Sequence, residues 1–423
     1  MSDAPPLTVK AQWVVPIARA PIRNGFVTIG GNDRIQSVDS SIPEPGGVVD
    51  LGRVVLLPAL VNAHTHLELS YLRGSVPPSG SFNEWVSDLM SRRRAWPDPA
   101  APAILEAARQ AIDEAHRSGT GVIGDISNTL VTVDLLRDAR MAAHVFYEQL
   151  GFNIPDAAAK VAGARDAIAM TVTGDDRIRL SLAPHAPYSV SPELFHAIRA
   201  DVDAAPHPLT TVHLGESPQE IQLLRDGTGA TRVMLERLGV WTDEWKPPGV
   251  SPVTYLADLG FLDARTLVVH GVQFDSADLA KLRTIGATLV SCPRSNVYVG
   301  VGSPPLQSFY DAGVPVAFGT DSLASVADLN MFNELAEARR IAPGVPARRL
   351  LESATLTGAR ALGFASDFGS VDVGKRAVFS VVRMPRRAVR DVEEFLVSGI
   401  AADAIRPFDL SARMNSAVVD RPQ

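Results

Sequence analysis

Between residues 54 and 322 the chain repeats one pattern eight times: a near-continuous apolar run followed by a helix-type segment. The runs are 54–66, 120–127, 143–151, 178–187, 209–217, 266–274, 288–296 and 314–322. A strand with one wet face alternates apolar and polar residues, whereas a strand apolar throughout has to be covered on both faces. The intervening segments, such as APAILEAARQAIDEAHRSG and SPELFHAIRADVD, are of helical composition. Parallel strands separated by covering helices, repeated eight times, predict an α/β fold. A (β/α)8 TIM-like barrel is the leading architecture, ahead of an open doubly wound sheet. No glycine-rich phosphate fingerprint follows any run, which further weakens the dinucleotide-binding alternative.

The flanks read differently. Residues 7–57 contain short β-branched runs punctuated by Gly and Asn/Asp, and 369–384 returns to that character. The expectation is a small β-sandwich domain formed by both chain termini, 1–57 plus 368–423, beside a barrel over 58–367. One interval breaks the barrel rhythm: 48 residues, Pro218 to Arg265, separate the fifth and sixth runs. Insertions of that length at a catalytic face are usually covers or specificity loops. Trp241, Trp245 and Tyr255 within it could stack on a ligand or fill the insertion's own small core.

Bulk properties exclude several classes. A formal net charge of -7 argues against a nucleic-acid or anionic-membrane surface, and the densest basic cluster, SRRRAW (91–96), reads as a solvated helix face. A single cysteine, Cys292, rules out an intramolecular disulfide and fits a reducing compartment; lying within a strand, it reads as a small apolar filler. The N-terminus does not read as a signal peptide, and the longest apolar run, VVLLPALVNA, is about half of the roughly 20 residues a bilayer span needs. A cytoplasmic protein acting on a small molecule, with no nucleic-acid or membrane partner, is expected.

The chemistry sits where the runs end. His64 and His66 close the first run, His213 and Glu216 the fifth, His270 the sixth and Asp321 the eighth, while His185 lies near the end of the fourth. Alternate side chains of a strand share a face, so the two histidines of H-T-H can face one ion. In a barrel those ends converge on a single face, where active sites are built. Imidazoles with a carboxylate suit a borderline divalent metal, and an incomplete protein shell leaves room for water. The pattern predicts a water-activating metalloenzyme. Glu216, three residues beyond His213, can reach the cavity without joining the ligands and move protons there. The competing role is a carboxylate at a helix start, since Ser217-Pro218 can begin a helix. His116, His144, His196 and His207 fit no strand end and are expected to be structural.

Six motifs in order, PALVNAHTH, PHAPYSVS, HLGES, VVHGVQF, CPRSNVYVG and GTDSLAS, span residues 54 to about 325. Together they resemble the amidohydrolase superfamily, in its branch of cytosine/adenosine-type aminohydrolases and related triazine hydrolases (chlorohydrolase-like). The resemblance implies His64, His66, His213 and Asp321 as ligands of one divalent ion per chain, foremost Zn2+ with Fe2+ as the alternative. It implies Glu216 as proton shuttle, His270 and Asp321 as the groups that orient and deprotonate water, and His185 facing the substrate. Dinuclear relatives bridge two metals with a carboxylated lysine at a strand end; no lysine ends any of the eight runs, which favours the mononuclear type. Two departures are visible, Pro58-Ala59 in place of PG and GKRAVFSVV without the acid of GKxADLVV.

The implied reaction replaces an exocyclic amino group of a purine-like ring by hydroxyl and releases ammonia. The wording NAHTHLELS, CPRSN and GTDSLAS most resembles the aminodeoxyfutalosine deaminases. Loss of chloride from a triazine, opening of a cyclic amide, or a catalytically silent binding barrel are the alternatives; the last would need a missing ligand, and none is missing. A homodimer is a family-level expectation. Three further pocket candidates each have a competing role. Glu68 could point into the cavity or pair with Arg73. Trp85 could pack on the substrate or fill an amphipathic-helix core. Arg294 could contact a polar substrate group or bridge loops.

Overall fold

The computed structural model describes residues 5–41, 48–171 and 174–408. The stretches 1–4, 42–47 and 409–423, which the expected β domain includes, lie outside the described residues.

Strands β1 (Leu7–Val14), β2 (Ile22–Ile29), β3 (Ile35–Asp39), β4 (Val48–Asp50) and β5 (Val54–Pro58) precede the barrel. β14 (Phe379–Arg383) and β15 (Ile405–Pro407) follow it. These strands form one seven-stranded sheet in the order β15-β14-β5-β1-β2-β3, with β4 also paired to β1. Both ends of the described chain therefore build the small β domain, with β5 parallel to β1 and antiparallel to β14. The run 54–66 is two strands in two sheets: β5 ends at Pro58, and β6 (Leu60–Thr65) starts the barrel. Proline has no N–H for a ladder, and the next N–H, of Ala59, turns instead to the carbonyl of Val378 at 3.0 Å. The whole run is apolar because β5 is covered on both faces. Val54 and Leu56 join Val9, Val27 and Phe379 in the β-domain core, while Val55 and Leu57 face the barrel side.

The barrel strands are β6, β7 (Thr120–Ser127), β8 (Ala142–Gln149), β9 (Ile178–Pro184), β10 (Thr210–Leu214), β11 (Thr266–His270), β12 (Thr288–Ser291) and β13 (Val316–Phe318). They form two parallel four-stranded ladders, β6-β7-β8-β9 and β10-β11-β12-β13. At one seam His213 N donates to the His185 carbonyl at 2.9 Å and Thr210 Oγ1 to the Leu182 carbonyl at 2.9 Å. At the other, Asp321 N donates to the His64 carbonyl at 3.0 Å, and Asn62 and Thr320 exchange two bonds of 2.7 and 3.0 Å. Individual bonds thus replace regular pairing where the two ladders meet. Val61, Phe146, Val269, Val290 and Ala317 from both ladders fill one core between them. Outside pack amphipathic helices such as Pro102–Arg117, which buries Ile104, Ala108, Ala111, Ile112 and Ala115 along one stripe.

The insertion after β10 carries three helices, Pro218–Asp226, Ala230–Arg237 and Pro252–Asp258. Its aromatics do not lie open for a ligand. Trp241 and Trp245 pack on each other and on Phe152, with ring centroids 5.5–5.7 Å apart, and Tyr255 is buried in the barrel-side core. They seat the insertion on Phe152 and the barrel-side core instead of forming a core of its own. Among the described residues no helix is long and apolar enough to cross a membrane.

The seam between β13 and β6 tolerates no side chain at Gly319. A Cβ there would lie 2.7 Å from both Cβ and O of His64 and 2.9 Å from its N. Backbone atoms cannot give way as a flexible side chain can, so Gly319→Ala should destabilise the fold by about 1–3 kcal/mol. Gly163, in an exposed helix position with nothing within 4 Å, is the control, and Gly163→Ala should be neutral or stabilising by up to about 1 kcal/mol. Urea unfolding midpoints of the two variants check the contrast; equal midpoints would refute the close-approach argument.

Candidate metal centre

The C-terminal ends of β6, β10 and β11 bring four imidazoles together. His64 and His66 come from β6 and the residue after it, His213 from β10 and His270 from β11. His64, His66 and His213 each offer a ligand atom within 4.8 Å of the others. Asp321, just past β13, closes the group: its Oδ1 is 3.6 Å from His66 Nε2 and 4.0 Å from His64 Nε2. Asp321 thus lies within 4.0 Å of two members of the three-histidine group.

The donor set fits a divalent cation. His64 is fully buried, and among the described residues neither of its ring nitrogens has a hydrogen-bond partner. An unpaired buried polar group costs about 1–3 kcal/mol, a cost a metal bond would remove. Burial, reinforced by the neighbouring imidazoles, holds His64 and His270 well below the usual histidine range and His66 at about 3. Burial also lowers His213 and His185 to about 4, although the Glu148 carboxylate opposes it at His213. At neutral pH all five rings are uncharged, the form that ligates metals. His213 Nδ1 donates to the His185 carbonyl at 3.0 Å; a carbonyl can only accept, so the free lone pair is on Nε2.

Asp321 is held from several sides. Ser295 Oγ donates to its Oδ2 at 2.6 Å and the Ser322 N–H to its Oδ1 at 2.8 Å. Its backbone is left-handed (φ +61°), as is that of His270 (φ +77°). For residues with a Cβ this costs on the order of 1–3 kcal/mol and persists only where the surroundings impose it. At Asp321 the Thr65 hydroxyl on its carbonyl at 2.8 Å helps do so.

His270 Nδ1 is hydrogen-bonded to Asn296 Nδ2 at 2.9 Å, which leaves Nε2 facing Glu216 Oε1 at 3.5 Å. Glu216 sits beside the three-histidine group and is buried. Burial, then the charges of Asp321 and Glu220, push its carboxyl well above the ordinary range, favouring the protonated form. The carboxylate at the helix start is a different residue. Glu220 accepts the N–H groups of Gly215 and Glu216 at 3.0 and 3.1 Å, and Ser217 Oγ accepts that of Glu220 at 3.2 Å. Glu220 thereby fixes the backbone that aims Glu216. Ser217 and Glu220 stand at capping-box spacing, the signal that could have found it.

His185 faces the site, its ring centroid 4.9 Å from His213 and its Nδ1 bonded to Ser189 Oγ at 2.6 Å. Glu148, unanticipated, lines the cavity from β8 with Oε1 3.4 Å from His213 Nδ1, while Asn128 Nδ2 donates to its Oε2 at 2.9 Å. Its position near the end of a barrel strand was the available clue. His144 is structural, bonded to Ser181 Oγ at 2.8 Å and stacked on Phe146. Cys292 is free and buried.

Two expected pocket residues have other work. Glu68 does not pair with Arg73, which binds Glu114 at 2.6 Å. Its Oε1 accepts from Arg93 at 2.8 Å, and its Oε2 from the Ser127 and Thr129 hydroxyls at 2.9 and 2.7 Å. With both oxygens engaged, Glu68 anchors Arg93 at the cavity wall. Arg93, expected on a solvated face, instead forks inward between Glu68 and Asn128. Arg294 bridges loops through Glu334 at 2.6 Å and Asp328 at 2.9 Å, the competing role expected for it. Trp85 packs in an apolar cluster over the site with Phe82, Tyr188 and Val299, and its indole N–H has no partner among the described residues.

Residues 55–404 match the model of the amidohydrolase family. The chain is 31% identical over 337 residues, 77% of each chain, to an aminodeoxyfutalosine deaminase of Deinococcus radiodurans. It is 31% identical over 355 residues to a 5-methylthioadenosine/S-adenosylhomocysteine deaminase of Halobacterium salinarum, covering 80% of this chain and 75% of that one. Its structure is similar to that of a zinc-bound adenosine deaminase from Xanthomonas campestris, with a TM-score of 0.79 and 25% identity over 97% of this chain and 96% of that one.

The geometry predicts one divalent ion per chain by elemental analysis. His64→Ala, His213→Ala and Asp321→Ala should lose it or hold it far more weakly. Glu216→Gln and His270→Asn, which lie outside the ligand group, should keep it. Two equivalents of metal, or an empty Glu216→Gln protein, would contradict the arrangement.

Proposed function

The chain belongs to the amidohydrolase family, and we propose that within it the protein is a zinc-dependent deaminase of adenine nucleosides, specifically of the 5′-substituted, aminodeoxyfutalosine kind. The observation that carries this reading is Glu216, a buried carboxyl three residues beyond His213 and 3.5 Å from His270. Hydrolysis of an amino group from a heteroaromatic ring needs an acid that protonates first a ring nitrogen and then the departing amine, and Glu216 is built for that. The deaminases of Deinococcus and Halobacterium, similar over most of the chain, support the same choice of chemistry.

His64, His66, His213 and Asp321 would hold the ion, which when bound lowers the pKa of a water from 15.7 to about 7. Asp321, oriented by Ser295 and the Ser322 N–H, accepts a proton from the attacking water. His270, held through Nδ1 by Asn296, orients the same water. Glu216 donates to the ring nitrogen beside the amino-bearing carbon and so makes that carbon electrophilic. When the tetrahedral carbon collapses, the second proton is delivered to the amine. The water oxygen remains as the carbonyl of the hypoxanthine product, the proton from Glu216 stays on the ring nitrogen, the water proton taken by Asp321 leaves in ammonia, and the remaining hydroxyl proton restores the Glu216 carboxyl. His185 and the unpartnered indole N–H of Trp85 are the groups this reading assigns to the nucleoside.

Comparison of kcat/KM for aminodeoxyfutalosine, adenosine, S-adenosylhomocysteine, guanine and a chlorotriazine tests the proposal. A 5′-substituted adenine nucleoside should be fastest, and Glu216→Gln should lower its turnover by about 10²–10⁴-fold at unchanged metal content. Fastest turnover of guanine or the chlorotriazine, or inertness of every adenine nucleoside, would refute it.

A further inference from the structure

The segment CPRSNVYVG contains a six-residue helix, Pro293–Tyr298, that carries two of the groups steadying the metal centre. Ser295 Oγ donates to Asp321 Oδ2 at 2.6 Å, and the next residue, Asn296, places Nδ2 2.9 Å from His270 Nδ1. Both side chains are fully buried. A small rotation of this helix would therefore displace a metal ligand and the water-orienting imidazole together. A helix this short gains too little from its own hydrogen bonds to hold an orientation, so contacts outside it must fix it.

Those contacts run through Arg294. Its backbone N–H, one of the N-terminal donors that a helix leaves unpaired, donates to Glu334 Oε2 at 3.3 Å, and its Nε donates to Glu334 Oε1 at 2.6 Å. Its Nη1 and Nη2 donate to the carboxylate and the carbonyl of Asp328 at 2.9 and 2.8 Å. Glu334 is completely buried on the helix Met331–Ile341. Asp328 is held in turn by Asn333 Nδ2, at 3.2 and 3.0 Å from its two oxygens, and by the Asn330 N–H at 3.0 Å. The N–H of Leu329 beside it donates to Glu114 on the helix Pro102–Arg117 at 3.0 Å, so the anchor is tied to the outer layer of the barrel. Apolar residues of similar volume often stabilise a fold as well as a buried ion pair does. What this pair adds is direction, because a planar guanidinium forks to two acceptors at fixed angles.

We infer that Arg294 is a positioning residue for the reaction: clamped between Glu334 and Asp328, it fixes the helix whose Ser295 and Asn296 aim Asp321 and His270. It acts through its neighbours, on ion retention through Ser295 and on water orientation through Asn296. The inference rests on the roles given above to Asp321 and His270.

The test uses the full-length zinc-loaded enzyme and two readouts: the rate at which zinc passes to a chromogenic chelator, and kcat and KM for the adenine nucleoside turned over fastest. Arg294→Met/Glu334→Leu removes both charges and should unfold in urea close to the unmodified protein. It should nevertheless release zinc about 10–100-fold faster and lower kcat by about 10–100-fold, the range for loss of a group that orients a metal ligand. KM should change by less than about threefold, since the loss falls on the transition state. Arg294→Lys keeps a charge beside Glu334 but cannot fork to Asp328, and should move both readouts the same way by about three- to tenfold. The two branches separate downstream: Ser295→Ala should speed zinc release, whereas Asn296→Ala should lower kcat at an unchanged release rate. A merely structural pair would leave the folded double variant with the release rate and kcat of the unmodified enzyme. That result, or an Arg294→Lys protein whose zinc release is unmoved, would overturn the inference. If the double variant does not fold, Arg294→Lys decides. Zinc release needs no substrate, so the inference fails separately from the adenine-nucleoside reading, which falls if no adenine nucleoside is turned over.

Discussion

The ring of His64 lies at full burial with both nitrogens unpaired among the described residues, and the rest of the site is arranged around that condition. A neutral imidazole in such a place is tolerable only if something else accepts its lone pair. His66, His213 and the Asp321 carboxylate approach from other strand ends, and burial keeps every neighbouring histidine uncharged. The backbone of the same residue carries part of the fold. Its carbonyl accepts Asp321 N at 3.0 Å, and the absence of a side chain at Gly319 lets β13 approach β6 there. Ligand convergence and closure of one barrel seam thus share a residue.

Charge is divided among the carboxylates by what surrounds each. Asp321 accepts two hydrogen bonds from Ser295 and Ser322, which oppose the desolvation of its anion. Glu216 has burial and two like charges against it, and is favoured as an acid. Glu220 takes two backbone N–H groups at a helix start and positions Glu216 instead of reacting. Burial raises all three carboxyls; the donors on Asp321 and Glu220 oppose that rise, whereas like charges add to it at Glu216.

The cover over the site follows from packing more than from any ligand. Phe152, Trp241 and Trp245 bury one another, and Trp85 joins Tyr188 and Val299 above the strand ends. Arg93 reaches from the helix Phe82–Arg94 into the polar layer beneath, linking Glu68 to Asn128 and through it to Glu148 beside His213. The loops and helix above the barrel are thereby connected to His213 by a continuous polar chain.

The barrel and the convergence of His64, His66, His213, His270, Glu216 and Asp321 were determined by the sequence alone. Their placement depends on local backbone rules: apolar runs covered on both faces, period-two alternation within a strand, and strand ends that share one face of a barrel. Side chains near the backbone inherit those positions whatever the loops do. Tertiary structure decided the rest. It split 54–66 between two sheets at Pro58, turned Arg93 inward, gave Arg294 to Glu334 and Asp328, and engaged both oxygens of Glu68. It also brought Glu148 to His213 and packed the insertion's aromatics on Phe152 and the barrel-side core. Arginine and glutamate place their charge several bonds from the backbone, so their partners are chosen by distant segments that fold beside them, and aromatic rings go wherever the most surface is buried. No local periodicity encodes either outcome.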